Sequence, residues 1–210
     1  MSINKPPPEA TFAEALEDRL QVAVRAFILF SQGLFRARQP GSYHWDPVDE
    51  ESDVFIAGQE PDEREASNKR PRIIVSRTQV NFGGTSIDQT LTPRWIGQNL
   101  TMTDLVNFHI VFSCTAREGL EAQLLGWWIA TRMLLFQREL HKVGRLHHIA
   151  TQRLTINPET PAKRVIPGSP TPEWKTVQVS VPVSLQEVIS ADASGFYSQV
   201  SRYMLEFNDS

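Results

Sequence analysis

From Phe12 onward, Leu16, Leu20, Ala23, Phe27 and Leu34 recur at helical intervals, and Thr11 with Glu14 has the spacing of a capping box. The pattern predicts a long amphipathic helix over about residues 12–36, ended by Gly33 and by Gln39-Pro40-Gly41, since proline disfavours helical geometry in the residue before it. Residues 37–70 are polar and acidic around one short apolar run, Val54-Phe55-Ile56, which reads as a single strand in a long loop. The β-branched run Ile73-Ile74-Val75 predicts a strand between Arg72 and Val80, and Asn81-Phe82-Gly83-Gly84 supplies turn chemistry for a protruding hairpin over 79–103. Val106, Phe108, Ile110, Phe112 and Cys114 alternate with Asn107, His109, Ser113 and Thr115, the signature of a half-buried strand over 105–115.

A second long helix is predicted over about 117–143, with Gly144 as its left-handed C-cap. Residues 147–156 alternate weakly, as another strand. Five prolines between Pro158 and Pro172 mark an irregular connector over 158–172. Val177, Val179, Val181, Val183 and Leu185 then form a strongly alternating strand, in which Pro182 lacks a ladder donor and points to a sheet edge or a bulge. Residues 1–10 carry three consecutive prolines and read as a flexible N-terminal arm, and residues 187–210 as a C-terminal docking tail. The element order gives an α+β fold: a mostly antiparallel sheet packed on one face by two long helices, with long loop insertions, in a single domain over 11–186.

The second helix is apolar on two sides. One stripe holds Leu120, Leu124, Trp127, Trp128, Leu134 and Leu135; roughly opposite lie Leu125, Ile129, Met133, Phe136 and Leu140. Both must be covered, because either would be a sizeable apolar patch in water. The sheet and the first helix cover both within one molecule, or a neighbouring subunit covers one; the second alternative makes Leu125, Ile129, Met133 and Phe136 candidate contact residues. Arg94 and Trp95, in the expected hairpin, are of the residue types that anchor interfaces.

Composition narrows the functional classes. Among 210 residues, 21 Lys plus Arg stand against 24 Asp plus Glu, a formal charge of −3, so no overall positive field draws in phosphate backbones. Cys114 is the only cysteine, which excludes an intramolecular disulfide and a thiolate cluster. No stretch approaches the roughly 18 apolar residues of a spanning helix, and no leader pattern opens the chain, so a soluble protein without a membrane partner is expected. A cysteine nucleophile would pair Cys114 with His109, but their odd separation on one strand points them to opposite faces. His141, His147 and His148 cluster without a metal-binding spacing, and Gly83-Gly84 lacks the lysine and the intervals of a phosphate loop. The expectation is no enzyme activity, no cofactor and no metal; the reading from another class is a small Cys/His-dependent enzyme.

The order and character of several segments resemble the tail-terminator, or tail-completion, proteins of tailed bacteriophages, to which neck and head–tail joining proteins are close. These segments are the first helix ending in Gly33-Leu34-Phe35, the strand opened by Arg70-Pro71-Arg72-Ile73-Ile74-Val75, and the strand-to-helix passage from Cys114 to Ala122. They continue with Gly144-Arg145-Leu146-His147-His148-Ile149 and the late strand Trp174 to Val183. The resemblance implies a structural virion protein, assembled in the host cytoplasm. It would close into a ring, usually a hexamer, at the head-proximal end of the tail. Its implied partners are further copies of itself, the tail tube, the head–tail connector and the sheath, with DNA passing through the ring without sequence-specific binding. Another neck, connector or stopper role is the alternative within that class. On this reading the acidic loop, with Asp49, Glu50 and Glu51, is a candidate wall for the DNA channel, since negative charge lets DNA pass without sticking.

Overall fold

The computed structural model describes residues 12–36, 43–48, 51–58, 71–82, 94–96, 99–161 and 174–192. The N-terminal arm, the end of the C-terminal tail, Asp49, Glu50 and most of the proline-rich connector lie outside the described residues. The architecture is mixed α+β. Helix α1 (Phe12–Arg36) is followed by strands β1 (Phe55–Ala57), β2 (Arg72–Arg77), β3 (Asn81–Phe82), β4 (Arg94–Ile96) and β5 (Asn99–Ala116). Helices α2 (Gly119–Leu135) and α3 (Gln137–Val143) come next, then β6 (His148–Ile149), β7 (Thr155–Ile156), β8 (Thr160–Pro161) and β9 (Lys175–Asp192). The sheet runs β1-β2-β5-β9-β6, with β3 and β4 also on β5, and β7 and β8 also on β9. Only β1 with β2 is parallel among the described pairs.

The centre of the sheet is the pairing of β5 with β9, in register from Asn99 opposite Asp192 to Ala116 opposite Lys175. Residues opposite one another share a face, so the two alternating patterns reinforce each other. Val106 meets Leu185, Phe108 Val183, Ile110 Val181, Phe112 Val179 and Cys114 Val177, and all ten are buried. Burial of each large aliphatic or phenyl group stabilises by about 1.5–3 kcal/mol, which fixes this register against a one-residue slip. The reverse face carries Asn107, His109, Ser113, Gln178 and Ser180.

Both strands exceed their sequence boundaries. β5 begins at Asn99 rather than near 105, and β9 continues to Asp192, so residues 187–192 belong to the sheet and not to a tail. In the region expected as a hairpin over 79–103, β4 pairs antiparallel with the start of β5, with Ile96 opposite Asn99. Pro182 sits on an interior strand in an unbroken register, not at an edge or bulge. The amide and carbonyl of His109, its partner on β5, bond instead to the Thr78 hydroxyl and amide at 2.9 Å each, away from β9. Pro182 therefore turns its missing donor towards β6, where its carbonyl accepts the Ala150 N–H at 2.9 Å and a short 3-10 turn over 151–153 interrupts the neighbouring strand.

Helix α1 buries Leu16, Leu20, Ala23 and Phe27 and sets the Phe27 ring edge-on to Phe112 at 6.0 Å. It runs through Gly33 to Arg36, so glycine does not end it. Glu17 and Arg77 tie it to β2 at 2.8 Å. On the same sheet face, α2 brings Gly126 so close that an added Cβ would lie 3.1 Å from Val177 Cγ1 and 3.2 Å from Val179 Cγ2.

The second predicted helix is divided. Phe136, at φ −104° and ψ 20°, breaks it into α2 and α3. The turn after α3 also departs from expectation: Gly144 is right-handed at φ −77°, and the left-handed residue is Arg145 at φ 50°. The Leu146 N–H reaches the His141 carbonyl at 3.1 Å and the Arg145 N–H the Lys142 carbonyl at 3.3 Å, a Schellman closure with arginine where glycine is usual. Gly144 is needed for space, because a Cβ there would stand 3.0 Å from the Leu140 carbonyl and 3.1 Å from Leu146 Cγ.

Candidate functional site: the outer face of the second helix

Helix α2 has two apolar sides with different fates. The inner one, holding Ala122, Leu125, Gly126, Ile129, Ala130 and Met133, is buried against the sheet and α1. On the outer side Leu120, Leu124, Trp127, Leu134 and Leu135 stand 54–66% exposed. Leu120, Leu124, Trp127, Thr131 and Leu134 advance by steps of four and three, the spacing with which one helix receives another along a seam. Thr131 does not interrupt this seam with an unmet donor, as its hydroxyl donates to the Trp127 carbonyl at 2.7 Å. Phe136, 40% exposed, and Val143, 59%, extend the apolar surface past the helix break.

At its N-terminal end the outer face opens into a cleft of about 590 Å³ between α1, α2 and the segment after α1, walled by Phe35, Tyr43, Leu124 and Trp128. The Phe35 and Trp128 rings lie 4.6 Å apart, and the Arg132 guanidinium covers Trp128 at 5.4 Å. The Tyr43 phenol donates to Glu121 Oε1 in the cleft. Burial first, then this bond and the charge of Glu121, hold the phenol protonated well above its ordinary range. Glu121 is thereby fixed as an acceptor beneath an aromatic wall. The arrangement is a surface that is apolar along one helix and polar at one end.

The residues singled out from sequence are distributed differently from expectation. Leu125, Ile129 and Met133 are candidate contact residues on one of the two sequence alternatives, but they are at most 3% exposed and belong to the molecule's own core. The sheet covers that side because only there do Ala122, Gly126 and Ala130 let the helix backbone approach the strands. Phe136 is shared: its ring packs edge-on against Phe30 at 6.2 Å while part of it remains exposed. The contact-competent residues are those of the opposite stripe, and the signal that identifies them is the lack of small residues among Leu120, Leu124, Trp127, Leu134 and Leu135. Arg94 and Trp95 lie on β4, opposite Thr101 and Leu100; their side chains are outside the described residues, as are Asp49 and Glu50. Among the described acids of the loop, Glu51 is exposed, while Asp46 and Asp53 serve the loop itself, Asp46 Oδ1 accepting the Val48 N–H at 2.8 Å and Asp53 Oδ2 the His44 N–H at 3.2 Å.

Cys114 is fully buried, and burial pushes its thiol up to about 12. His109 lies on the other sheet face, where its Nδ1 is 3.0 Å from Ser180 Oγ, so thiol and imidazole do not meet. His141 Nε2 bonds the His147 carbonyl at 2.8 Å, while His147 and His148 are exposed. Among the described residues, no three His, Cys, Asp or Glu side chains gather as a metal site, and no helix is long and apolar enough to cross a membrane. Compared with known proteins, the chain matches no family model and no curated sequence.

Proposed function

We propose that this chain is a structural virion subunit that acts by assembly rather than by chemistry. It forms a ring, six-membered as the resemblance implies, at the head-proximal end of a phage tail, where it ends the tail tube and joins it to the head connector. The observation that carries this reading is the outer face of α2, where five large apolar side chains stand more than half exposed beside an aromatic cleft. Covering these side chains releases on the order of 10 kcal/mol before the cost of association, itself about 4–15 kcal/mol. One such contact gives reversible pairing; a closed ring, in which every subunit holds two neighbours, gives a persistent particle.

Sedimentation of the purified full-length chain together with electron microscopy tests this. Closed rings of uniform size are expected, and Trp127→Glu disperses them into monomers. A monomer at every concentration, with tail length unchanged in particles lacking the protein, overturns the proposal. Overlong tails in such particles mark the terminator role; leaking heads on tails of normal length place the ring in the connector instead.

A further inference from the structure

The helix layer carries opposite charge at its two ends. At the start of α2, Glu118 and Glu121 line the aromatic cleft, and besides burial the charges of Glu121, Glu118 and Asp53 all bear on the Tyr43 phenol. Among the described lining residues the one cation, Arg117, lies over the Trp174 ring at 5.9 Å. Beyond the helix break, Arg138 and Lys142 stand four apart on α3 and Arg145 follows in the turn, all three exposed, with Glu139 the one acid on α3. None of these three cations holds an ion pair among the described residues.

Arg145 marks this basic corner. It takes a left-handed backbone at φ 50°, where glycine would be relaxed, and it lies two residues from Val143, which is 59% exposed. Strain kept at an exposed position points to a use for the side chain. A guanidinium suits the cleft in both respects, since it stacks on an aromatic face and bonds a carboxylate in its own plane. The cleft of the same molecule lies at the far end of the helix layer. Ala116, just ahead of α2, is opposite Lys175, whereas His147, just after Arg145, bonds its N–H to the Ser184 carbonyl at 2.8 Å. From Lys175 to Ser184 the strand β9 rises about 30 Å, more than an arginine side chain spans.

We infer that the basic corner between α3 and β6 of one copy docks into the aromatic cleft of the next, with Arg145 between Glu118 and the aromatic wall and Val143 against Leu120 and Leu124. This inference rests on the ring reading above and names its contact. The two surfaces belong to the same chain, carry opposite charge and sit at opposite ends of its helix layer. A face that meets its own copy makes a two-fold dimer and stops. A corner that meets a cleft instead leaves a free cleft and a free corner on every pair, which is the condition for growth into a closed ring.

Sedimentation of the full-length chain across a dilution series tests the pairing, with the denaturation midpoint of the dilute monomer as the folding control. Arg145→Glu and Glu118→Arg are each expected to raise the concentration for half-assembly by about tenfold or more, because like charges then meet. Both changes in one chain restore the pair in reverse, and half-assembly is expected to return to within about threefold of the parent. Arg145→Gly, which relaxes the turn, is expected to weaken assembly while the monomer's midpoint does not fall. Rings that form unchanged in Arg145→Glu and Arg145→Gly, or a double variant no better than its parts, overturn the inference and leave the ring reading standing. A parent chain that stops at a two-fold dimer or stays monomeric overturns both.

Discussion

The two sides of α2 are similar in hydrophobic content and opposite in fate. Leu125, Ile129 and Met133 are sealed against the sheet, while Leu120, Leu124 and Trp127, on the other side of the same helix, are largely in water. What separates them is shape. The inner side alternates large residues with Ala122, Gly126 and Ala130, which lets the helix settle onto Val177 and Val179; the outer side has no such gaps and stays exposed. Hydrophobicity says that a surface must be covered, and the size sequence along it says by what.

Substitutions on the two sides should therefore separate folding from assembly. Ile129→Ala is expected to destabilise the subunit by about 2–4 kcal/mol in chemical denaturation, since it leaves a cavity under a close-packed helix. Leu124→Ser or Trp127→Ser on the outer side should stay within about 0.5 kcal/mol for the dilute monomer while weakening assembly. Equal losses from both sides would abolish the distinction. Gly126→Val tests shape directly: its side chain enters space already held by Val177 and Val179, and a cost of about 1–3 kcal/mol is expected although hydrophobicity rises.

The sealed side also sets a pH dependence. The Cys114 thiol is raised from 9.0 to about 12 by burial, so between those values the unfolded chain loses this proton and the folded one keeps it. Stability is then fully present below about pH 9 and falls as pH rises towards 12. Tyr43, raised from 10.0, acts in the same sense. Denaturation midpoints at increasing pH should fall less steeply above pH 9 in Cys114→Ala than in the parent. The smallest effect belongs to the turn that leads from α3 into β6. Arg145→Gly removes a left-handed arginine and should stabilise by about 0.5–1 kcal/mol, partly offset by the freer unfolded chain. A loss of stability there would mean that the arginine side chain contributes more than its backbone costs.

Much of the fold was legible in the chain, and the failures share a cause. The alternation in β5 and β9 marked the buried face of each strand because a strand's period is a local property, whereas their register with each other is seen only in the sheet. Pro182 was misplaced because a missing donor matters only relative to a neighbouring strand, and the break between β6 and β7 that accommodates it is not visible in the proline's own surroundings. Gly144 was expected to take the left-handed position, but Leu140 and Leu146 require it for close approach, which passes the unusual backbone to Arg145. The site was half legible: both apolar stripes of α2 were read, but the stripe taken as available for contact is the buried one and the exposed stripe is its opposite.

By itself the sequence determined the mixed α+β content, the buried face of each central strand, the isolation of Cys114 from His109 and the presence of two apolar sides on one helix. Periodicity and parity suffice for these, since they depend only on the rise and turn of a single segment. Only the tertiary structure decided which side of α2 is spent on the molecule's own core and how β5 and β9 pair along their whole length. Those outcomes depend on how closely two backbones can approach and on distances summed across the whole sheet, which no single segment records.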